Sequence, residues 1–291
     1  MIAAKTIDKT RFPGFKGFLA WFGLLPLFLF GVCFQLVPVV TLIRSSLFSQ
    51  GGLTFQYFQK AFTPTILNSF ANSLKLSTTT ATFGVILGGL VAFAIISSPR
   101  KIVRDSLTAL ADVTTNFGGA PLAFAFIITL GSTGVITLIL KAVGVHLYPE
   151  FRIYSISGLT IAYLYFQMPL MILLIIPAFM GLKKEWWEAS INLGANSLRF
   201  WWYIGLPTLA PALMSSFLLL FANSFGAYAT AWTLTGPDVN LVTVQIAALI
   251  RGEVQLQPEL ADALAVVSLL IMSFCVTGYI LLAKKARKGQ R

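Results

Sequence analysis

Few side chains in this 291-residue sequence could do acid–base or covalent chemistry: ten carboxylates, one histidine (His146) and two cysteines (Cys33 and Cys275). No G-x-x-x-x-G-K-[ST] phosphate loop occurs, and no H-E-x-x-H, paired Cys-x-x-Cys or G-x-S-x-G. Nucleotide binding of that kind, zinc chemistry and serine-nucleophile chemistry therefore lack their groups. A lone histidine is most often a surface residue, and His146 is assigned no role. What remains is a set of hydrogen-bonding side chains in otherwise apolar sequence: Asn223, Ser224, Tyr228 and Thr230 in one stretch, Thr115 and Asn116 in another. Such groups usually face the protein interior or a cavity when the chain lies in a bilayer. The chemistry open to them is to hold a polar solute and pass it on. Hydrogen bonding between helices is the plainer reading of the same residues. No catalytic residue and no metal ligand is expected.

The elements that must position these residues are apolar segments. Hydrophobic residues make up 57% of the chain and charged ones 11%, against about 25% charged in soluble domains. Six stretches approach or exceed the ~20 residues that cross a bilayer as a helix: 18–43, 69–96, 107–140, 156–182, 208–234 and 262–283. The first is too long for a cleavable signal peptide and lacks a small-residue cleavage site, so it is expected to remain as a span. The third is interrupted by Asn116-Phe117-Gly118-Gly119-Ala120-Pro121. It is either a broken span, as at substrate pathways, or a short helix and loop followed by the true span from Ala120. Along the fifth, helical spacing sets Asn223, Gly226 and Thr230 on one face. Gly84 and Gly88 have the spacing that lets two helices approach closely, with packing inside one subunit the plainer use. Cys33 and Cys275 sit alone in apolar runs and read as small apolar residues.

The net charge is +11, yet the basic residues gather at segment ends, which argues against a nucleic-acid partner. Fifteen of the 21 Lys and Arg lie in alternate connections: Lys5, Lys9, Arg11, Lys16; Arg100, Lys101, Arg104; Lys183, Lys184, Arg199; Lys284, Lys285, Arg287, Lys288, Arg291. The other six, Arg44, Lys60, Lys75, Lys141, Arg152 and Arg251, count to the opposite side. Basic residues collect on the cytoplasmic side, so both termini are expected there. The organisation is then a cytoplasmic tail (1–17), a six-helix membrane domain (18–283) and a second tail (284–291). Membrane lipid is the anionic partner this pattern suits.

One connection carries a pattern of its own. Residues 183–211 read KKEWWEASINLGANSLRFWWYIGLPTLAP and hold four of the six tryptophans. Residues 184–193 read as a short helix, with Gly194 where a left-handed C-terminal cap falls. Asn196 or Ser197 can cap a second helix start. Residues 199–204 continue that helix, and Pro207 ends it or sets the entrance to the fifth span. The Trp side chains can anchor both pieces at the membrane surface.

This loop resembles the EAA loop in permease subunits of binding-protein-dependent ABC importers. There a Glu-Ala-Ala is followed after three residues by Gly and, nine residues later, by Ile-x-Leu-Pro. Here Glu188, Ala189, Gly194, Ile204, Leu206 and Pro207 stand at those places, and Ser190 replaces the second Ala. The resemblance implies an all-α membrane protein of the type I importer permease fold, with six transmembrane helices and cytoplasmic coupling helices. It implies a transport subunit that is not itself an enzyme and binds no cofactor. ATP and Mg would be used by a dimer of partner ATPase subunits. Residues 183–211 would dock into a groove on the ATPase, with Glu188 at the contact and Ala189, Ser190 and Gly194 small enough for close approach. A second permease subunit would complete the pathway, and a periplasmic or extracellular solute-binding protein would deliver the solute. The place would be a bacterial cytoplasmic (inner) membrane.

The stretch 221–236, FANSFGAYATAWTLTG, looks most like the polyamine-type permeases for spermidine and putrescine, which leans toward a heterodimer. The related permeases for aminophosphonate or ferric iron are the alternative. From another class, a passive channel would use the same polar span without an ATPase. A membrane enzyme lacks any cluster of His, Cys or carboxylates at depth.

Overall fold

The computed structural model describes residues 14–49, 52–253 and 256–289. Most of the expected N-terminal tail and the last two residues lie outside them. Among the described residues six helices are long and apolar enough to cross a membrane: Gly23–Leu47, Pro64–Ser97, Gly119–Ala142, Ile156–Met180, Ser197–Gly226 and Pro258–Lys284.

The first span is α1 (Gly14–Gly31) and α2 (Val37–Leu47), joined without a stop by a π turn at Val32–Leu36. A two-residue hairpin, β1 (Phe48–Ser49) and β2 (Gly52–Leu53), pairs Phe48 with Leu53. Short α3 (Gln56–Lys60) leads to α4 (Pro64–Ser97), the longest helix. Pro64 occupies its first turn, where the missing N–H costs nothing. The helix thus starts five residues before the sequence suggests.

The expected third segment is not one helix. Its first part is α5 (Lys101–Thr115), which packs against a later span, and the backbone then breaks at 116–118. After it come α6 (Gly119–Leu130) and, past a second break at Gly131–Gly134, α7 (Val135–Ala142). The interruption falls where Asn116 to Pro121 placed it, and α5 begins six residues earlier than expected.

The fourth span is α8 (Ile156–Met180), entered through Ser155, whose hydroxyl accepts from the Gly158 N–H. The connection 183–211 holds α9 (Lys184–Asn192) and α10 (Ser197–Phe200); α10 runs through a π turn at Trp201–Gly205 into α11 (Leu206–Gly226). Pro207 therefore does not end a helix. It lies in the first turn of α11, and the wider π turn keeps the chain helical through it. The expected second loop helix is the near end of the fifth span.

A further break follows at Ala227–Tyr228, before α12 (Ala229–Thr235). The stretch expected to be a loop, 236–261, contains an apolar helix, α13 (Val242–Arg251), packed on α4 and on α14 (Pro258–Gly289), the sixth span. Asn72 and Ser73 tie it down: Asn72 Nδ2 donates to Asn240 O at 3.0 Å, and Ser73 Oγ accepts from Val242 N at 2.9 Å.

The bundle is built on α4 and α8. A Cβ at Gly88 would lie 2.7 Å from Met171 Cβ and 2.8 Å from Met168 O, and one at Gly84 would lie 2.9 Å from Leu220 Cδ2. The paired glycines thus bring α8 and α11 onto α4 within one subunit. One core gathers Ala92, Ile95, Ala111, Ile175, Ala178 and Leu209 toward the end that carries the 183–211 loop. A second, around Leu76, Leu122, Leu159, Tyr163 and Leu234, fills the other end. The outer faces of all spans remain apolar and exposed, as lipid requires.

Candidate functional site

The breaks in the third and fifth spans meet. Thr230, in the first turn of α12, accepts from Gly119 N at 3.0 Å and sits 3.3 Å from Gly119 O through the same hydroxyl oxygen. Gly119 has φ +72°, which side chains rarely adopt. The other side of the junction is held by α8. Tyr163 Oη donates to the freed Ala227 carbonyl, and Gln167 Nε2 donates to Leu220 O at 2.7 Å. Unpaired backbone groups at membrane depth cost several kcal/mol each and persist only where protein or cavity water satisfies them. Here Thr230 and Tyr163 do part of that work, while Gln167 fastens α8 to a carbonyl inside α11.

Between the breaks lies a cavity of about 410 Å³, lined by Thr115, Asn116, Gly118, Gly119, Phe166, Asn223, Ala227, Tyr228, Ala229 and Thr230. Five of the six candidate pathway residues, drawn from stretches a hundred residues apart, thus share one polar pocket. Thr115 and Asn116 also cap the end of α5, donating to Ala111 O at 2.8 Å and Asp112 O at 2.9 Å. The Tyr228 ring stacks on Trp232 at 6.1 Å, and the Arg251 guanidinium lies over both, 5.7 and 5.3 Å from the centroids.

Ser224 does not join the pocket. It is 3% exposed and its Oγ lies 2.8 Å from Thr80 Oγ; the bond fastens α11 to α4. The shared face of Asn223, Gly226 and Thr230 is also corrected. The helix breaks between Gly226 and Thr230, and Gly226 packs under Met272 instead. Asn223 and Thr230 come together through the break. Sequence reasoning missed the span-five break and the residues that hold it. The signals were there: Tyr163 and Gln167 are polar side chains in an apolar run, and Gly226 punctuates the fifth span.

At one end of the bundle the 183–211 loop forms a helix–turn–helix. Gly194, at φ +76°, closes α9 with its N–H on Ile191 O at 2.8 Å. The Asn196 side chain accepts from Arg199 N at 2.9 Å and caps α10. Trp187 and Phe200 lock the two arms edge to face at 4.9 Å, and Trp201 continues the contact to Phe93 of α4 at 5.2 Å. Glu188 is exposed and pairs with Lys184 at 3.1 Å. Ala189 and Ile204 line a cavity of about 680 Å³ between the arms, beside Trp186 and Arg199. Ser190 is buried, with its hydroxyl on Trp187 O, and borders the same cavity. Leu206 and Pro207 are the first two residues of α11. Large apolar side chains nevertheless stand out from this polar end: Leu193 is 88% exposed and Tyr203 81%, with Leu198 and Trp202 beside them. A face of that kind, rimmed by charge, marks a protein or membrane contact.

Comparison with known proteins gives one consistent picture. Residues 84–288 match the family described as binding-protein-dependent transport system inner membrane component. The chain is 24% identical to the probable ABC transporter permease protein y4fN of Sinorhizobium fredii over 91% of its own length, and spans only 45% of that relative. It is 23% identical to the spermidine/putrescine transport system permease protein PotC of Escherichia coli, covering 87% of this chain and 90% of PotC. The molybdenum transport system permease protein ModB of Mycobacterium tuberculosis is 25% identical over 74% of this chain and 79% of ModB. Among solved structures, a chain of the bacterial alginate ABC transporter in complex with alginate pentasaccharide-bound periplasmic protein superposes with a TM-score of 0.70 at 19% identity, covering 89% of this chain and 93% of that one. The fold is that of type I ABC importer permeases.

Proposed function

The chain belongs to the binding-protein-dependent transport system inner membrane components, as a permease subunit of the ABC importer kind, and from that premise we propose how it is driven and what it carries. It forms one half of a translocation pathway in a bacterial inner membrane, with both termini in the cytoplasm. A second, related permease subunit forms the other half. Residues 183–211 dock on a dimer of ATPase subunits, which bind the ATP and Mg. A solute-binding protein outside delivers the solute.

The observation that carries the coupling role is the pre-folded loop. Its two arms are capped by Gly194 and Asn196, and its outer face exposes Leu193, Leu198 and Tyr203 beside Glu188. Because α10 passes without a stop into α11, a push on the loop is transmitted along the fifth span to the break at Ala227–Tyr228. That rigid link joins the docking face to the pocket. A passive channel has no use for such a face.

The solute is a small organic cation of the spermidine or putrescine kind. Supporting this is the likeness to PotC along nearly the whole of both chains. In cells producing the complete importer, Glu188→Lys combined with Gly194→Trp should abolish spermidine uptake while the chain still inserts in the membrane. Normal uptake by that variant would overturn the coupling role. Uptake of molybdate in place of spermidine by the unaltered importer would overturn the solute class, and the relatedness to ModB makes molybdate the comparison to run.

A further inference from the structure

One cationic side chain already sits beside the pocket between the breaks. Tyr228 lines that pocket. Trp232, one turn on in α12, stacks on it with ring centroids 6.1 Å apart and planes 21° from parallel. The Arg251 guanidinium lies over both rings, 5.7 Å from the centroid of Tyr228 and 5.3 Å from that of Trp232. Its Nη1 is 3.6 Å from Glu253 Oε1. A capped turn sets up this arrangement. Gly252, at φ +70°, ends α13 in the left-handed region, and the Glu253 N–H donates to Ala248 O at 3.1 Å. That folds Glu253 back beside the last residue of α13. The cluster stands at the end of the bundle away from the 183–211 loop. Ile246 and Leu249 of α13 pack on Ile66, in the first turn of α4, whereas the loop meets the far end of α4 through Trp201 and Phe93.

Two aromatic faces and a carboxylate are what an organic cation seeks, because the ring faces are negative and the carboxylate supplies a counter-charge. An arginine kept to receive an anion would aim its donors into the pocket. This guanidinium is instead spent over rings and beside a carboxylate. Tyr228 Oη is buried and finds no hydrogen-bond partner among the described residues, so the residue that joins the cluster to the pocket has a hydroxyl to spare. We propose that Tyr228, Trp232 and Glu253 form a binding site for the ammonium group of an organic cation, and that Arg251 is a built-in occupant which the solute displaces. This rests on the reading of the solute as a small organic cation, and it adds where that cation is held. Displacement requires a weakly held occupant. The Arg251 and Glu253 side chains are 49% and 37% exposed, and cation–π contacts and ion pairs contribute little in such surroundings.

The test measures binding of radiolabelled spermidine to the purified importer in lipid nanodiscs, without ATP or solute-binding protein. An occupant held by two rings with ordinary exposed strength fills the site in roughly nine molecules of ten, which weakens the apparent affinity about tenfold. Arg251→Ala should therefore bind spermidine about tenfold more tightly. So should Arg251→Gln, which keeps the stem over the rings and serves where the shorter residue fails to fold. Arg251→Lys returns a cation and should bind like the unaltered chain. Adding Glu253→Gln or Trp232→Leu to Arg251→Ala should take the gain away. Unchanged or weaker binding in both uncharged variants would overturn the proposal. So would a gain that survives both Glu253→Gln and Trp232→Leu, since the cation would then bind elsewhere. Molybdate is the counter-probe: binding that is lost on Arg251→Ala would make Arg251 itself an anion contact and overturn the proposal. Failure of the solute reading looks different, as molybdate uptake by the unaltered importer. A failed site leaves spermidine uptake intact and Arg251→Ala without effect on binding.

Discussion

Thr230 carries more of this site than its size suggests. Its single hydroxyl serves both backbone groups of Gly119, so it staples two broken spans together at one point. Thr230→Val keeps the shape and removes the bonds, leaving the Gly119 N–H without a protein acceptor. The expected cost is about 1–3 kcal/mol, read as a lower unfolding temperature of the detergent-purified complex. Thr230→Ser should retain most of the stability. Equal stability for Val and Ser would show that water already satisfies Gly119. Ser224, four residues before Tyr228, makes the opposite case. From the sequence it is as good a solute contact as Asn223, yet its hydroxyl is spent on Thr80. Composition can nominate polar residues in a span; only the partner across the helix interface separates a lining residue from a fastening one.

At the scale of elements, the loop and the fifth span behave as one body. Local chemistry made much of the loop legible: Gly194 does adopt the left-handed cap, and Asn196 does cap α10. What local chemistry could not show was that the helix continues through Pro207. A proline normally stops a helix because it lacks an N–H and crowds the preceding turn. The π turn at Trp201–Gly205 relieves this, and a Cβ at Gly205 would meet the Trp201 ring at 2.5 Å. Removing the cap tests how stiff the loop must be. Asn196→Ala should cost about 1 kcal/mol of local stability and reduce the stimulation of ATP hydrolysis by solute in the assembled importer, with Asn196→Asp restoring it. Full stimulation in the Ala variant would mean that the ATPase alone holds the loop in shape.

For the whole molecule, an orientation is expected from charge. Fifteen of 21 basic residues fall on the side of the 183–211 loop when the six spans are counted in order. An enzyme reporter that matures only outside the cytoplasm should be active when inserted near His146 and inactive when fused after Arg291. The reverse pattern would overturn the orientation and, with it, access of the loop to ATP. The first span is the loosest part of the fold: the described part of its apolar window is unburied, and α2 leans chiefly on α14. The family match begins only at residue 84, while α4, α8 and α11 form the tightly packed centre.

Taken alone, the sequence determined the number of spans, the gathering of basic residues in alternate connections and the helix–turn–helix of the 183–211 loop. Each of these is written in local terms: about twenty apolar residues to cross a bilayer, basic residues at segment ends, a glycine and an asparagine where caps fall, a motif at fixed spacing. Tertiary structure alone decided that Asn116 and Thr230 share a pocket and that the fifth span is broken. The physical reason is that backbone groups freed at a break in the membrane must find partners on other helices. Tyr163 and Thr230 provide them from 64 and 111 positions away along the chain, and no pattern along one segment encodes that meeting.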